Sequence, residues 1–326
     1  MPQIVYFLPA GNSPSGGAKV LLQHIEILNR HGFDAFAYGL SDFQIWADIN
    51  AQIIRAEKDT LLVSHNSFLV FPETERIRAE HAAKSNNFVR VVFCQNHYAM
   101  EWGALADVRR FRVNDAFVCS SVIADAFKQR FGVPHVPIVP VPVDAARFKP
   151  AVKQALTVAY MPRKRPGLVE RLRDVIPEAT TWTWLPIDRV PEAEVARILG
   201  EASVFLSLSH QEGLGLPPLE AMAADCIVAG FHGDGGRCYA TPDNGFWHDD
   251  DDLAGVAASL RKAVRIAAER ADAWAAMIAA GRRTVEQFSP AATETALLAY
   301  WRSRIRAVGR QEAEFLLPTA TTLGSP

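Results

Sequence analysis

Cysteine is scarce, with four residues in a chain of 326. Cys94, Cys119, Cys226 and Cys238 form no C-x-x-C pair, and three of them sit in or beside apolar runs. Zinc ligation and a disulfide framework are both disfavoured; the thiols are expected to be small buried groups in a reducing compartment. Charge of one sign is lacking too, because 34 Lys and Arg against 36 Asp and Glu leave a formal net charge of −2. So balanced a chain has no general electrostatic hold on a polyanion, which argues against a dedicated nucleic-acid binder. No apolar run reaches the roughly 18 residues needed to span a bilayer. The stretch Met1–Leu8 lacks the basic flank and the length of a secretory signal. G-x-G-x-x-G, P-loop, G-x-S-x-G and H-E-x-x-H patterns are missing, so dinucleotide, P-loop and common hydrolase chemistries have no residues to rest on. The expectation is a soluble cytoplasmic protein, with a peripheral seat on the inner membrane face left open.

What is present is ordinary globular usage, with 49% hydrophobic and 21% charged residues, which rules out disorder as the main state. The length favours two domains. Short apolar runs alternate with amphipathic segments, the mark of parallel sheets covered on both faces. Strands are expected at 4–8, 33–38, 60–64, 89–94 and 116–119, with a helix after the loop Gly11–Gly17 and another capped by Ser120 or Ser121. The four prolines of Val133–Val143 suit an edge strand running into a linker. The alternation restarts with strands at 156–160, 180–185, 204–208 and 226–231 and helices at 166–175, 192–199 and 217–224. An Ala-rich helical run then extends to about Phe288, and a further helix spans about 289–307. Two doubly wound α/β halves follow: residues 1–145, residues 146–290, a carboxy-terminal helix at 291–310 that can pack back on the first half, and a fraying tail at 311–326.

Ligands of such sheets bind beyond the carboxyl ends of the strands, where helix amino termini favour phosphate. Three segments qualify. Ser15-Gly16-Gly17 is either an anion cradle or a tight turn. Gln211 to Ala223 reads QEGLGLPPLEAMA. Its prolines suit a first helical turn, and the Gly213 and Gly215 amides would line that end. Glu212 and Glu220 flank it, free either to accept from vicinal sugar hydroxyls or to serve the helix dipole and a loop amide. The third segment, Pro162-Arg163-Lys164-Arg165-Pro166, is a cationic strand end that suits a leaving diphosphate, or else a solvated basic loop.

Together these pieces resemble the retaining, family-4 type of GT-B glycosyltransferases (glycosyl transferases group 1). EGLGLPPLEAMA looks like that family's E-x7-E motif, and Gly235-Gly236 and Asn244-Gly245-Phe246 match its spacing. The chain departs from the pattern in two places. The three cations are adjacent where the family spaces an Arg and a Lys, and Arg237-Cys238-Tyr239 stands where the family has a Glu. The resemblance implies two Rossmann-like domains facing a central cleft, an acceptor-side half and a donor half. It implies transfer of a sugar from a nucleotide-sugar such as a UDP- or GDP-sugar to a carbohydrate, lipid-linked or protein hydroxyl, with retention and without a metal or other cofactor. Glu220 would hold the ribose and Glu212 the transferred sugar, while Gly213, Leu214, Gly215 and Leu216 support it and the phosphate. Arg163 and Lys164, or Arg165, would neutralise the diphosphate, Gly16 and Gly17 would cover it from the other domain, and the base would lie near Ile187. His97 resembles the histidine that touches the donor sugar, or is a satisfied loop histidine.

The competing readings are a nucleotide-sugar epimerase or hydrolase of the same fold, a non-catalytic glycan-binding module, and a transferase acting on modified DNA. The D-x-D within His248–Asp252 is read as helix capping and solvation rather than a metal site. Trp182 and Trp184 are read as core.

Overall fold

A computed structural model describes residues 2–9, 15–40, 49–56, 63–64, 66–270 and 272–310. The chain divides into two compact units, Met1–Val141 with Thr293–Pro326, and Pro142–Ala292.

In the first unit the elements run β1 (Ile4–Phe7), α1 (Gly16–Arg30), β2 (Ala35–Leu40), β3 (Ile53–Ala56), β4 (Ser67–Pro72), α2 (Arg76–Ala82), β5 (Phe88–Cys94), β6 (Asp115–Val118) and α3 (Ser121–Phe131). The strands pair in parallel in the order β3-β2-β1-β4-β5-β6. Of the expected strand at 60–64, only residues 63 and 64 are described, and neither is in a strand. Residues 60–62 lie outside the described set, the Ser64 carbonyl accepts from Ser67 Oγ (2.7 Å), and β4 begins at Ser67. β3 went unread because Arg55 interrupts its short apolar run. Val133–Val143 is not an edge strand but contributes one parallel bridge, Ile138 to Val118. Alternate prolines remove the donors a longer ladder would need.

In the second unit come β7 (Gln154–Tyr160), α4 (Leu168–Val175), β8 (Thr183–Pro186), α5 (Glu192–Glu201), β9 (Ala202–Glu212), α6 (Leu216–Ala223), β10 (Ile227–Asp234), β11 (Gly245–His248), α7 (Leu253–Glu269) and α8 (Asp272–Glu286), before α9 (Pro290–Arg310). The parallel order is β11-β10-β9-β7-β8. The long Ala-rich run is two helices rather than one, because Arg270 takes a left-handed φ of 47° and ends α7.

Burial follows the strand pattern. β1, β4 and β6 are buried along their whole length, and Val204, Leu206, Ile227, Ala229 and Phe231 form the second core with Leu260 and Val264 of α7. Trp182 is buried in that core and Trp184 packs against it. The larger part of α9 belongs with the first unit: buried Trp301 donates from Nε1 to the Tyr6 hydroxyl (3.1 Å) and sets its ring edge-on to Phe68. Cys94, Cys119 and Cys226 are buried and unbridged. Among the described residues no helix is long and apolar enough to cross a membrane. The expected fraying tail lies outside the described residues.

Candidate functional site

In each sheet the strand order reverses at one point, and ligands of open α/β sheets bind outside the carboxyl ends there. In the second unit that point lies between β7 and β9. β7 ends at Tyr160 and runs into a tight 3-10 turn, Pro162–Lys164. The proline's fixed φ suits that first position, and Arg165 N–H closes the turn on the Pro162 carbonyl (3.1 Å). Lys164 Nζ thereby comes within 3.1 Å of Glu212 Oε1 at the end of β9, both side chains partly exposed, at 32% and 25%. The basic run and the first glutamate of the motif thus meet at the switch point.

The three cations are not equivalent. Arg165 is largely buried: its guanidinium lies 4.0 Å from the Phe231 ring centroid, pairs with Asp250 (2.6 Å) and reaches the Ser209 carbonyl (3.4 Å). Arg165 therefore ties β7 to β9, β10 and the segment after β11. Arg163 is exposed and Lys164 half-buried. Of the acidic run, Asp252 caps α7 through Gly255 N–H (2.8 Å). Asp249 and Asp250 are not simply solvated, as expected from the sequence, but anchor His232 and Arg165 respectively. Among the described residues no group of three or more His, Cys, Asp or Glu side chains is arranged to hold a metal ion.

The motif folds as the prolines and glycines dictate. Gly215, with φ at +83°, is the cap of α6, and Pro217 and Pro218 occupy the first turn, where a missing N–H costs nothing. Leu214 is buried, and Glu220 lies half-buried one turn into the helix. Glu212 precedes and Glu220 follows the helix start, so one anion-attracting terminus stands between two carboxylates. Ile187, just after β8, is buried and donates its N–H to the Tyr160 carbonyl (2.8 Å).

In the first unit the reversal lies between β1 and β4. Gly16 starts α1, with Ser15 Oγ accepting from Ala18 N–H (3.2 Å), and the Gly17 carbonyl accepts from Gln95 Nε2 (3.1 Å). His97 opens a 3-10 helix, His97–Glu101, capped by Asn96, with its ring tilted against Tyr98 at 4.3 Å. Sequence reasoning missed Glu73. This carboxylate follows β4 directly, is buried, and accepts from Gln95 N–H (3.0 Å). Desolvation pushes its pKa up to about 7, against the opposing pull of backbone donors. A charged residue one proline beyond the apolar run Phe68–Phe71 is the available signal. Tyr239 was missed as well: its buried hydroxyl donates to the Gly215 carbonyl (2.7 Å).

With this geometry in place, comparison with known proteins gives a consistent outcome. Residues 186–280 match the family model described as "Glycosyl transferases group 1". An alpha-1,6-glucosyltransferase of Actinobacillus pleuropneumoniae is 27% identical over 240 residues, covering 70% of this chain and 72% of that protein. Among solved structures, a sucrose-phosphate synthase of Thermosynechococcus elongatus superposes with a TM-score of 0.69 at 15% identity, covering 94% of this chain and 100% of the other. The Anabaena protein HepE, solved in complex with UDP-glucose, gives 0.65 at 12% identity, covering 92% and 99%. On the family model and the curated relative the chain is a glycosyltransferase, and on the solved structures its fold is GT-B.

Proposed function

We propose that the chain transfers a hexose, with glucose from UDP-glucose the first donor to try, to a hydroxyl of a carbohydrate acceptor with retention of configuration. The observation that carries this reading is the meeting of Lys164 and Glu212 at 3.1 Å, at the switch point of the second sheet and in front of α6. The similarity to an alpha-1,6-glucosyltransferase and to a protein solved with UDP-glucose supports the choice of donor.

In this reading Glu220 accepts from the ribose hydroxyls and Glu212 from hydroxyls of the transferred sugar. Lys164 and the exposed Arg163 face the diphosphate, the Gly213–Leu216 main chain supports it, and Arg165 serves as the anchor of the basic turn. The base lies against the segment at Ile187. The anomeric C–O bond to the diphosphate breaks, the acceptor oxygen bonds to the same carbon on the same face, and the acceptor proton passes to the departing phosphate. Cations fixed before the reaction stabilise the charge that develops on that phosphate, and no metal is required.

The test is nuclear magnetic resonance of products from UDP-glucose and a panel of oligosaccharide acceptors. The expected product is an α-linked glucoside, lost in Glu212→Gln. A β-linked product would overturn retention. Free glucose alone, or an epimerised nucleotide sugar, would replace transfer by the hydrolase or epimerase reading.

A further inference from the structure

Building on the donor-site reading above, we propose that Tyr239 and the His232–Asp249 pair are positioning residues that hold the Glu212–Leu216 segment in its ligand-ready shape. The pairing of β9 and β10 extends to Asp234 opposite Glu212, with a register shift after His232. At that shift Asp234 takes φ 67° and ψ −62°, a conformation costly for a residue with a β-carbon. Side chains hold it there. Asp234 N–H donates to His232 Nδ1 (2.9 Å), so that nitrogen is the acceptor and the ring proton sits on Nε2. Nε2–H in turn donates to Asp249 Oδ1 (2.9 Å), which also receives Arg237 (2.8 Å). One carboxylate thus ties both ends of the turn 232–237. Asp249 is 76% exposed, so its role is not core packing.

The turn so fixed grips the donor segment at two places. A β-carbon on Gly235 would lie 2.5 Å from the Glu212 carbonyl oxygen, the Gly213 carbonyl carbon and the Leu214 nitrogen, so the main chains seat directly on each other. Four residues on, Tyr239 donates its hydroxyl to the Gly215 carbonyl (2.7 Å), the residue whose left-handed φ starts α6. The Tyr239 ring is itself held edge-on by Trp247 and Phe288 (5.8 and 5.9 Å), and its carbonyl accepts from Asn244 Nδ2 (2.6 Å). Tyr239 is buried and acts through Gly215, not on a ligand.

The experiment is calorimetric titration of the full chain with whichever of UDP, GDP or ADP binds the unmodified protein, alongside donor KM, kcat and Tm. Tyr239→Phe keeps the ring and deletes the bond to Gly215, and is expected to weaken nucleotide binding and raise donor KM by about tenfold. Asp249→Ala, at an exposed position, is expected to weaken binding by about threefold with Tm unchanged. A merely structural role would lower Tm and leave the dissociation constant of the folded protein where it was. A dissociation constant and KM within about twofold of the unmodified chain in Tyr239→Phe overturn the proposal. If Tyr239→Phe fails to fold, Asp249→Ala decides by the same criterion. Glu220→Ala separates the two levels: undiminished nucleotide binding there sinks the donor-site reading itself, whereas abolished binding there with unchanged binding in Tyr239→Phe sinks only the positioning role.

Discussion

The two units solve the same topological problem with opposite electrostatics. At the strand ends of the second unit the charged side chains are partly exposed and paired with each other: Lys164 with Glu212, Arg165 with Asp250, Arg237 with Asp249. In the first unit three ionisable groups, Glu73, Asp115 and His24, are buried, and burial dominates them. Glu73 is pushed up to about 7, Asp115 up to about 6 although Arg304 opposes the shift, and His24 down to about 3. His24 sits among Tyr6, Phe93 and Phe117, and among the described residues neither ring nitrogen has a hydrogen-bond partner. The second unit's charges are matched side chain to side chain, whereas these three groups of the first are built into the core at a cost in stability. Substitutions in the two units should therefore differ in kind.

The largest effect is expected from Trp301→Ala. It empties a fully buried site against Tyr6 and Phe68 and should lower stability by about 3–5 kcal/mol in denaturant titrations. Next comes Lys164→Ala, which should cut kcat/KM for transfer by about 10²–10³ with little change in Tm, as loss of one preorganised charge contact does. Stability loss without rate loss there would erase the contrast between the units.

The buried groups sharpen the comparison through pH, with opposite signs. His24 binds a proton in the unfolded chain near 6.5 but in the folded chain only near 3. Its contribution to stability is complete above pH 6.5 and is lost as the pH falls toward 3. His24→Phe should remove that acid sensitivity, a gain of ~2 kcal/mol at about pH 5 relative to neutral pH. Glu73 behaves the other way. Its folded pKa of about 7 exceeds the ordinary 4.5, so its contribution is present below 4.5 and lost as the pH rises through 7. Glu73→Gln should flatten the fall in stability over that interval in urea titrations at a series of pH values. The smallest effect is Ser120→Ala, which removes the cap bond to Ile123 N–H and should cost about 1 kcal/mol in stability with no change in nucleotide binding.

The same contrast governs what could be read from the sequence. The second unit's site is contiguous: Glu212, the glycines, the prolines and Glu220 fall within nine positions, and each residue type signals its own backbone geometry. The parallel sheets were legible from alternation, apart from β3, the position of β4 and the short β11. β4 was obscured because it opens on Ser67 and closes on Pro72, so its apolar run is only four residues long. The break at Arg270 carries no glycine or proline to announce it. Glu73, His24 and Asp115 were illegible as perturbed groups because desolvation arises only when distant segments close over them. Arg165 looked equivalent to its neighbours until Phe231 and Asp250, far along the chain, were placed beside it.

The central claim is that a nucleoside diphosphate is held where β7 and β9 diverge. A crystal structure of the full chain with bound UDP tests it most directly. The account requires phosphate oxygens within hydrogen-bonding distance of Lys164 and the α6 amino terminus, with the ribose hydroxyls on Glu220. A well-ordered nucleotide bound away from both residues would contradict it.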